Sequence, residues 1–250
     1  MGTQTILVPG ATDNGRGPVG FGRANMSTMC GRFLLTTPAE AIAALLGLES
    51  LPDLAARYNI APTQPVGIVR ARSLAQDREW LSARWGLVPR WSREPATRKP
   101  LINARSEDLA ERPAFRDSFK HRRCLIPASG FYEWQGEGRN RQPHLVRLRD
   151  GAPFAFAGLW DRWQPQGQPA LDSCAILTTI PNELIAPLHD RMPVILQPAH
   201  FGLWLDPALS DSAALQEILR PYPAELMEAH PVGRHVNDAR FDGPECAQPA

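Results

Sequence analysis

The chain has 250 residues, 43% of them hydrophobic, and a formal net charge of +1 at pH 7. This length and composition allow one large domain or two small ones with a buried core. The charge argues against a strongly basic nucleic-acid coat protein, and no apolar run approaches the roughly 18 residues of a membrane helix. We therefore expect a globular protein that has no membrane partner.

The four cysteines of the sequence are widely separated. They are Cys30, Cys124, Cys174 and Cys246, and no pair has the C-x-x-C spacing that is typical of zinc sites. Neither a metal site nor a disulfide framework is indicated, and we expect no cofactor. Unpaired thiols suit a reducing compartment, which favours the cytoplasm.

Residues 1–28 are rich in glycine and show little apolar periodicity. They lack the basic region and the apolar stretch of a signal peptide, so export is not expected. We interpret them either as a disordered extension or as a mis-assigned start, with translation beginning at Met29. Met26 is another candidate start, but it would leave Cys30 inside the chain.

Met29 is followed directly by Cys30. An initiator methionine is normally removed before a side chain this small, which would give Cys30 a free α-amine beside its thiol. Reference pKa values are about 8.5 for a thiol and about 7.7–8.0 for an α-amine, so both groups are partly reactive near neutral pH. Such an aminothiol can form an imine with an aldehyde and close it to a durable thiazolidine ring. An extension ahead of Cys30 would block this chemistry.

The first predicted elements are a short strand over 33–35 and a helix that begins after Thr37. Thr37 is predicted to be the N-cap, with Pro38 at the first helical position and Glu40 completing a capping box. Gly47 is predicted to end the helix, because glycine readily adopts the left-handed conformation found there.

The middle of the chain is predicted to contain both strands and helices. Residues 57–62 are predicted to enter a loop, followed by strands over 65–71 and 79–88. Short helices are predicted at 106–111 and 113–121, separated by a proline that cannot continue the first one.

The second half of the chain is predicted to be mostly extended. Residues 123–135 are apolar and extended, and Asp150-Gly151 indicates a hairpin between strands 144–149 and 152–160. The remaining predicted elements are strands over 173–180 and 192–197, helices over about 198–205 and 211–220, and a strand near 226–233. We predict a single α+β domain with a curved, mainly antiparallel, barrel-like sheet and short flanking helices.

Two titratable residues are candidates for proton transfer. Glu133 lies among aromatic residues in Gly130-Phe131-Tyr132-Glu133-Trp134, and an aromatic pocket raises a carboxyl pKa as a general acid/base requires. A core glutamate paired with an arginine is the structural alternative. His189 lies in a polar loop between predicted strands, where catalytic groups are common, but a lone histidine beside Asp190 can equally be structural.

Polar and aromatic residues suggest a ligand surface. Asn103 and Arg105 are two residues apart, so on an extended segment they share a face and could address one ligand. A turn-forming asparagine and a surface arginine are the structural alternative. Aromatic residues in arginine-containing segments either stack single-stranded nucleic acid or belong to the core; they are Trp85, Trp91, Phe131, Tyr132 and Trp134.

Six motifs occur in one order along the chain: MCGRF at 29–33, RYNIAPTQ at 57–64, WGLVPRW at 85–91, LINARSE at 101–107, GFYEW at 130–134 and LHDRMPVIL at 188–196. Together they closely resemble the SOS-response-associated peptidase (SRAP) family, the abasic-site processing proteins. The resemblance covers about residues 29–242 and leaves 243–250 as a tail. It implies one SRAP domain that binds single-stranded DNA at abasic sites. It also implies a thiazolidine crosslink between the N-terminal cysteine and the ring-opened deoxyribose aldehyde.

The resemblance implies roles for individual residues. Cys30 is similar to the crosslinking nucleophile, and Asn103 to the residue that positions the cysteine and the sugar. Glu133 is similar to the acid/base that opens the sugar ring and assists crosslink reversal, and His189 to its partner in proton transfer. Arg32, Arg105 and Thr178 lie at positions similar to the family's phosphate contacts. Pro62 and Trp85 are similar to residues that line the path of the displaced or stacked bases.

The resemblance further implies a DNA-damage-response protein whose partner is single-stranded DNA containing abasic sites. We expect a monomer that acts in the cytoplasm at the nucleoid, with replication or repair proteins as further candidate partners. The extension before Cys30 departs from the family pattern. The family is assigned an autoproteolytic activity, which offers a second route to a free Cys30.

Three alternatives stay open from the sequence. An N-terminal-nucleophile hydrolase, such as a glutamine amidotransferase, also begins Met-Cys-Gly and uses the α-amine as a base for the thiol. A non-catalytic single-strand binder would make Cys30 incidental. A Cys-His thiol protease would need a thiolate–imidazole pair and no free amine.

Overall fold

A computed structural model describes the chain over residues 1–2, 31–49, 54–73, 77–94, 100–136, 138–209 and 212–250. Cys30 lies outside the described residues, as does the expected extension apart from its first two residues. The described strands are β1 Phe33–Leu35, β2 Arg57–Ile60, β3 Pro65–Ala71, β4 Arg78–Trp85, β5 Asn103–Arg105, β6 Arg123–Ala128, β7 Gly130–Gln135, β8 Gln142–Leu148, β9 Phe154–Trp163, β10 Leu171–Thr179, β11 Met192–Pro193, β12 Ile195–Leu196 and β13 Met227–Pro231. The described α-helices are α1 Ala39–Leu46, α2 Pro113–His121, α3 Phe201–Leu205 and α4 Ser212–Glu217.

The strands form two sheets. The first sheet has five strands in the order β13-β8-β7-β1-β2, and each neighbouring pair is antiparallel. The second sheet closes into a barrel in the order β10-β4-β3-β6-β9, because β9 also pairs with β10. β5 and β11 extend this barrel alongside β10, and β12 extends it alongside β9. β10 runs parallel to β4 and β5, while the other pairings are antiparallel.

Aromatic rings join the two sheets. Phe33 of β1 packs edge-on against Trp85 of β4 and Phe156 of β9, with ring centroids 5.2 Å and 5.8 Å apart. Phe131 of β7 meets the same Phe156 ring at 6.2 Å. All four rings are buried, and each such pair adds about 0.5–1.5 kcal/mol beyond its burial. One face of the five-stranded sheet therefore packs against the barrel.

The other face of the five-stranded sheet is covered by the end of the chain. Because side chains alternate along β7, Tyr132 points away from the barrel-facing side that carries Phe131 and Glu133. A second apolar cluster forms there from Leu34, Tyr132, Leu145, Val232, Val236 and Cys246. Residues 243–250, the expected tail, contribute Cys246 to this cluster and a bridge from Pro249 to Val232.

The predicted α+β fold with a barrel-like sheet and short helices is confirmed. The predicted hairpin across Asp150-Gly151 is wrong. β8 pairs with β7 and β13, whereas β9 pairs with β6, β10 and β12, so this turn carries the chain from one sheet to the other. Residues 57–60 form β2 instead of a loop, because β1 supplies a partner strand that the local sequence does not reveal.

The start of α1 also differs from the prediction. Pro38 is the N-cap residue and no side chain caps the helix, so the predicted capping box is wrong. Thr37 is bonded to Ser129 instead: its backbone N–H donates to Ser129 Oγ, and its own hydroxyl lies 2.8 Å from that oxygen. Gly47 ends α1 with φ of 62°, as predicted. At 106–111 the predicted helix is only a 3₁₀ turn over Ser106–Asp108.

Candidate functional site

Glu133 is buried beside the residue that follows Cys30. In the β1–β7 pairing Phe33 lies opposite Phe131, and the Tyr132 N–H donates to the Arg32 carbonyl at 3.0 Å. This register places Gly31 opposite Glu133. The Glu133 side chain shares the barrel-facing side of β7 with Phe131, and the residue is only 1% exposed. A carboxyl group is therefore held between the sheets where the chain enters β1.

Asn103 is the first residue of β5, on the barrel. The indole N–H of Trp85 donates to the Ile102 carbonyl at 2.9 Å, directly before Asn103. The Trp85 ring packs against Phe33, two residues from Gly31. A continuous set of contacts thus connects the start of β1 with the start of β5. These contacts link the start of β5, where Asn103 lies, to β1, the strand that pairs with the Glu133 strand β7.

His189 lies in the loop between β10 and β11. Burial is the main cause of its lowered pKa, since the side chain is 8% exposed. Asp190 acts in the opposite direction, and the positive charges of Arg141 and Arg191 lower the pKa further. His189 Nδ1 accepts the Arg191 N–H at 3.0 Å and lies 2.8 Å from Asp190 Oδ1.

These two contacts of Nδ1 imply different protonation states. A backbone N–H donor requires an unprotonated Nδ1, whereas a carboxylate at 2.8 Å favours a protonated one. Burial lowers the pKa, and the Asp190 side chain is 86% exposed and hydrated, so we assign a neutral imidazole. The remaining nitrogen, Nε2, then carries the proton and can donate it.

Arg105 and Thr178 lie side by side but differ in exposure. They are paired in the parallel β5–β10 ladder, with Arg105 exposed and Thr178 fully buried. Arg191 covers Thr178: its Nη2 donates to the Thr178 carbonyl at 2.6 Å. Arg191 also binds Glu107 through two hydrogen bonds of 2.7 Å and 2.8 Å. In this arrangement Thr178 has no surface to offer a phosphate.

Arg191 is the functional candidate that the sequence reasoning did not single out. Its guanidinium adjoins Thr178, the ladder partner of Arg105. A signal was available, because Arg191 lies within the LHDRMPVIL motif, two residues after His189. The pairing with Glu107 could not have been foreseen from spacing, since the two residues are 84 positions apart.

The WGLVPRW motif carries two tryptophans in opposite environments. Trp85 is fully buried, so its ring has no free face on which a base could stack, whereas Trp91 is 64% exposed. The loop around Trp91 is fixed on both sides. The Arg90 N–H donates to Asp161 Oδ2 at 2.9 Å, and the Trp163 indole N–H donates to the Ser92 carbonyl at 2.7 Å. Of the two alternatives given for these aromatics, Trp85 belongs to the core, and Trp91 has a ring face available for base stacking.

Pro62 lies in a half-buried turn beside Trp85. The next residue, Thr63, donates its N–H to the Trp85 carbonyl at 2.7 Å and has a positive φ of 72°. The structure thus places the Pro62 turn next to Trp85. Trp85 supports this turn from within the core.

Arg32 is directed away from Glu133. It is opposite Tyr132 in the β1–β7 ladder, and its guanidinium Nη1 donates to Asn59 Oδ1 at 2.8 Å and to the Val236 carbonyl. Burial lowers the pKa of Arg32, with opposing contributions from nearby acidic groups. The expected phosphate contact gains no support from this placement.

The other three cysteines are unsuited to nucleophilic chemistry. Cys124, Cys174 and Cys246 are buried free thiols, and burial raises the pKa of each above that of an ordinary thiol. This leaves Cys30 as the candidate nucleophile among the four cysteines of the sequence. Within the described ranges, no group of three His, Cys, Asp or Glu side chains is arranged to hold a metal ion. Over the same residues, none of the helices has the length and apolar character needed to cross a membrane.

Residues 29–239 match the family model described as SOS response associated peptidase (SRAP). Curated relatives include the abasic site processing protein YoqW of Bacillus subtilis, 39% identical over 225 residues that cover 88% of this chain and 99% of the relative. The abasic site processing protein YedK of Escherichia coli is 32% identical over 231 residues, which cover 88% of this chain and 100% of YedK. The abasic site processing protein HMCES of Gallus gallus is 30% identical over 77% of this chain and 66% of its own length.

Solved structures show the same fold. A protein from Bacteroides thetaiotaomicron superimposes with a TM-score of 0.77 at 29% identity, over 88% of this chain and 100% of the other. A protein from Bordetella bronchiseptica gives a TM-score of 0.71 at 28% identity, over 82% of this chain and 100% of the other.

Proposed function

The chain belongs to the SOS response associated peptidase (SRAP) family, and on that premise we propose that it captures abasic sites in single-stranded DNA as a covalent thiazolidine adduct of Cys30. The observation that carries the proposal is the buried Glu133 carboxyl group opposite Gly31, the residue that follows Cys30. An acid/base beside an N-terminal aminothiol is what capture of a sugar aldehyde requires.

The chemistry needs three balanced steps. First the cyclic sugar opens: the ring oxygen gains a proton, the anomeric hydroxyl loses one, and an aldehyde results. The Cys30 α-amine then adds to the aldehyde and water leaves, giving an imine. Finally the Cys30 thiol adds across the C=N bond, its sulfur bonding carbon while its proton goes to nitrogen. Because amine and thiol belong to one residue, the last step is intramolecular and strongly favoured.

Glu133 is proposed to transfer the protons of ring opening and of adduct reversal. His189 is proposed to be its partner in these proton transfers. As a neutral imidazole with its proton on Nε2, it would donate a hydrogen bond to a sugar or phosphate oxygen. The Asn103 side-chain amide would orient the opened sugar from the barrel side.

DNA contacts are proposed along the exposed edge of β5. Arg105 would bind a phosphate, because its side chain is exposed and an arginine fork matches phosphate oxygens. Arg191 would support this edge through its bonds to Glu107 and the Thr178 carbonyl. Trp91 would stack on a base, and the Pro62 turn would line the base path. Such a substrate would place the protein at the nucleoid. The monomeric state stays a prediction.

The test uses protein that begins at Cys30 and a single-stranded oligonucleotide with one abasic site. After denaturing electrophoresis we expect a heat-resistant protein–DNA band that Cys30→Ala abolishes. The control variant Cys124→Ala should keep the band, because that thiol is buried on barrel strand β6. A stable adduct with Cys30→Ala, or equal adduct with undamaged DNA, would refute the proposal. Glutamine hydrolysis by the same protein would instead support the amidotransferase-like alternative.

Exposure of Cys30 has two proposed routes. Translation from Met29 followed by methionine removal gives it directly, and autoproteolysis of a longer chain gives it afterwards. Mass spectrometry of natively expressed protein, alone and with Glu133→Gln, separates them. If the extension is translated, and if wild type removes it while Glu133→Gln keeps it, the result would indicate autoproteolysis.

A further inference from the structure

Arg32 is the first residue after Cys30 whose side-chain contacts are described. Its carbonyl accepts the Tyr132 N–H at 3.0 Å, and its guanidinium binds Asn59 Oδ1 and the Val236 carbonyl. The intervening Gly31 has no side chain and adds backbone freedom. Chain termini fray unless they are tied down, so a cysteine at the N-terminus depends on the anchoring of Arg32.

Asn59 ties Arg32 to the C-terminal strap, which we define as residues 232–242. Asn59 is fully buried, and its Nδ2 lies 2.7 Å from the Phe241 carbonyl and 3.0 Å from the Asp238 carbonyl. Its Oδ1 accepts from Arg32 at 2.8 Å. A third strap carbonyl, that of Val236, lies 3.3 Å from the same Nδ2, so one side chain bonds both Arg32 and three carbonyls of the strap.

Other contacts fix the strap in the same place. Asp242 Oδ1 accepts the backbone N–H groups of Tyr58 and Asn59 at 2.6 Å and 2.7 Å. Its Oδ2 accepts from Arg57 Nε at 2.5 Å. On the other side, the Trp134 indole N–H donates to Asn237 Oδ1 at 2.7 Å. The strap is thus held to β2 and to β7, the strand that carries Glu133.

We propose that Arg32 and Asn59 are positioning residues, which set the direction in which the chain leaves β1 toward Cys30 by bonding it to the C-terminal strap. The inference rests on the proposed function, because it concerns the rate of adduct formation at Cys30. It gives Arg32 a different role from the phosphate contact that the family resemblance implied. A guanidinium engaged with Asn59 and Val236, on the sheet face opposite Glu133, has little to offer a DNA backbone.

The two roles of Arg32 predict different kinetics. Loss of a phosphate contact weakens DNA binding and flattens its salt dependence by a slope of about 0.7 per phosphate on single strands. Loss of positioning slows the reaction at saturating DNA and leaves binding unchanged. Misplacement of a reacting group by about 1 Å can cost about 10²-fold in rate.

The experiment measures single-turnover adduct formation on an abasic oligonucleotide, with protein beginning at Cys30 and its concentration varied to saturation. For Arg32→Met we expect the maximal rate to fall by at least about tenfold, with the half-saturating concentration and salt slope as in wild type. Arg32→Lys should recover part of the rate, because it retains a donor. Asn59→Ser should reproduce the loss through the partner residue.

Arg57→Met is the matched control. It removes the ion pair between Arg57 and Asp242, while Asp242 keeps its bonds to the Tyr58 and Asn59 N–H groups and the strap stays in place. We therefore expect reduced thermal stability with an unchanged maximal rate. The inference would be overturned if Arg32→Met kept the wild-type maximal rate. It would also be overturned if this variant instead bound DNA more weakly and with a flatter salt dependence. An equal rate loss in Arg57→Met would overturn it as well. A wild-type protein that forms no adduct would refute the proposed function itself, whatever the variants do.

Discussion

At the residue scale, burial distinguishes side chains that look equivalent in the sequence. Trp85 and Trp91 flank one motif, yet one fills the core and the other faces solvent. Alternation along strands correctly grouped Asn103 with Arg105, because a local pattern determines which face a residue takes. It could not show that Arg32 turns toward Val236, since that contact joins residues 204 positions apart.

Replacing Trp91 with alanine should weaken binding to undamaged single-stranded DNA by about 1–3 kcal/mol, the usual value of one stacked base. The melting temperature should stay within about a degree or two of wild type, because the ring is mostly exposed. Fluorescence anisotropy with a labelled oligonucleotide measures the affinity. Leu203→Ala, an exposed apolar residue on α3, is the control. Unchanged affinity in Trp91→Ala would remove this residue from the DNA surface.

His189 should make stability sensitive to mild acid. Burial lowers its pKa in the folded protein below the ordinary value of 6.5, so the unfolded chain binds a proton at a higher pH than the folded one does. The stability that the folded protein gains from a neutral His189 is fully present above the pKa of the unfolded chain. It is lost as the pH falls from that value through the lower pKa of the folded protein. Melting curves between pH 7.5 and 5.5 should show a smaller loss for His189→Gln than for wild type. The exposed His121→Gln should behave as wild type; identical curves for all three would contradict the assignment.

At the scale of elements, local signals located strands better than they located strand partners. The extended stretch 123–135 was predicted, and it forms β6 and β7 as two separate strands. The Asp150-Gly151 turn was also real, yet its two strands belong to different sheets. A turn fixes how the chain reverses, whereas pairing depends on cross-strand packing contributed by distant sequence.

Gly86 controls how the chain leaves β4 for the Trp91 loop. Its φ is +138°, and an added Cβ would lie 2.9 Å from Pro100 Cβ, while its N–H donates to the Cys174 carbonyl at 2.8 Å. Gly86→Ala should therefore destabilise the protein by about 1–3 kcal/mol. Chemical denaturation measures the change.

Gly202→Ala in α3 is the matched control for that substitution. An added Cβ there would meet nothing within 4 Å, and alanine favours helix by up to about 1 kcal/mol. Its stability should equal or exceed that of wild type. A Gly86→Ala protein as stable as Gly202→Ala would show that the backbone of this loop adjusts freely.

At the scale of the whole molecule, the two ends of the domain are interlocked. The Arg32 side chain is bonded to Val236, and β1 lies between β7 and the β2 segment that holds the strap. The ribosome makes these partners at opposite ends of synthesis. On the proposed route of translation from Met29, a nascent chain would carry a free N-terminal aminothiol for most of its translation time, before residues 232–242 emerge to anchor Arg32. On the proposed positioning role of Arg32, Cys30 would react with DNA at its full rate only when synthesis is complete, so an unfinished or truncated chain would capture a damaged strand more slowly.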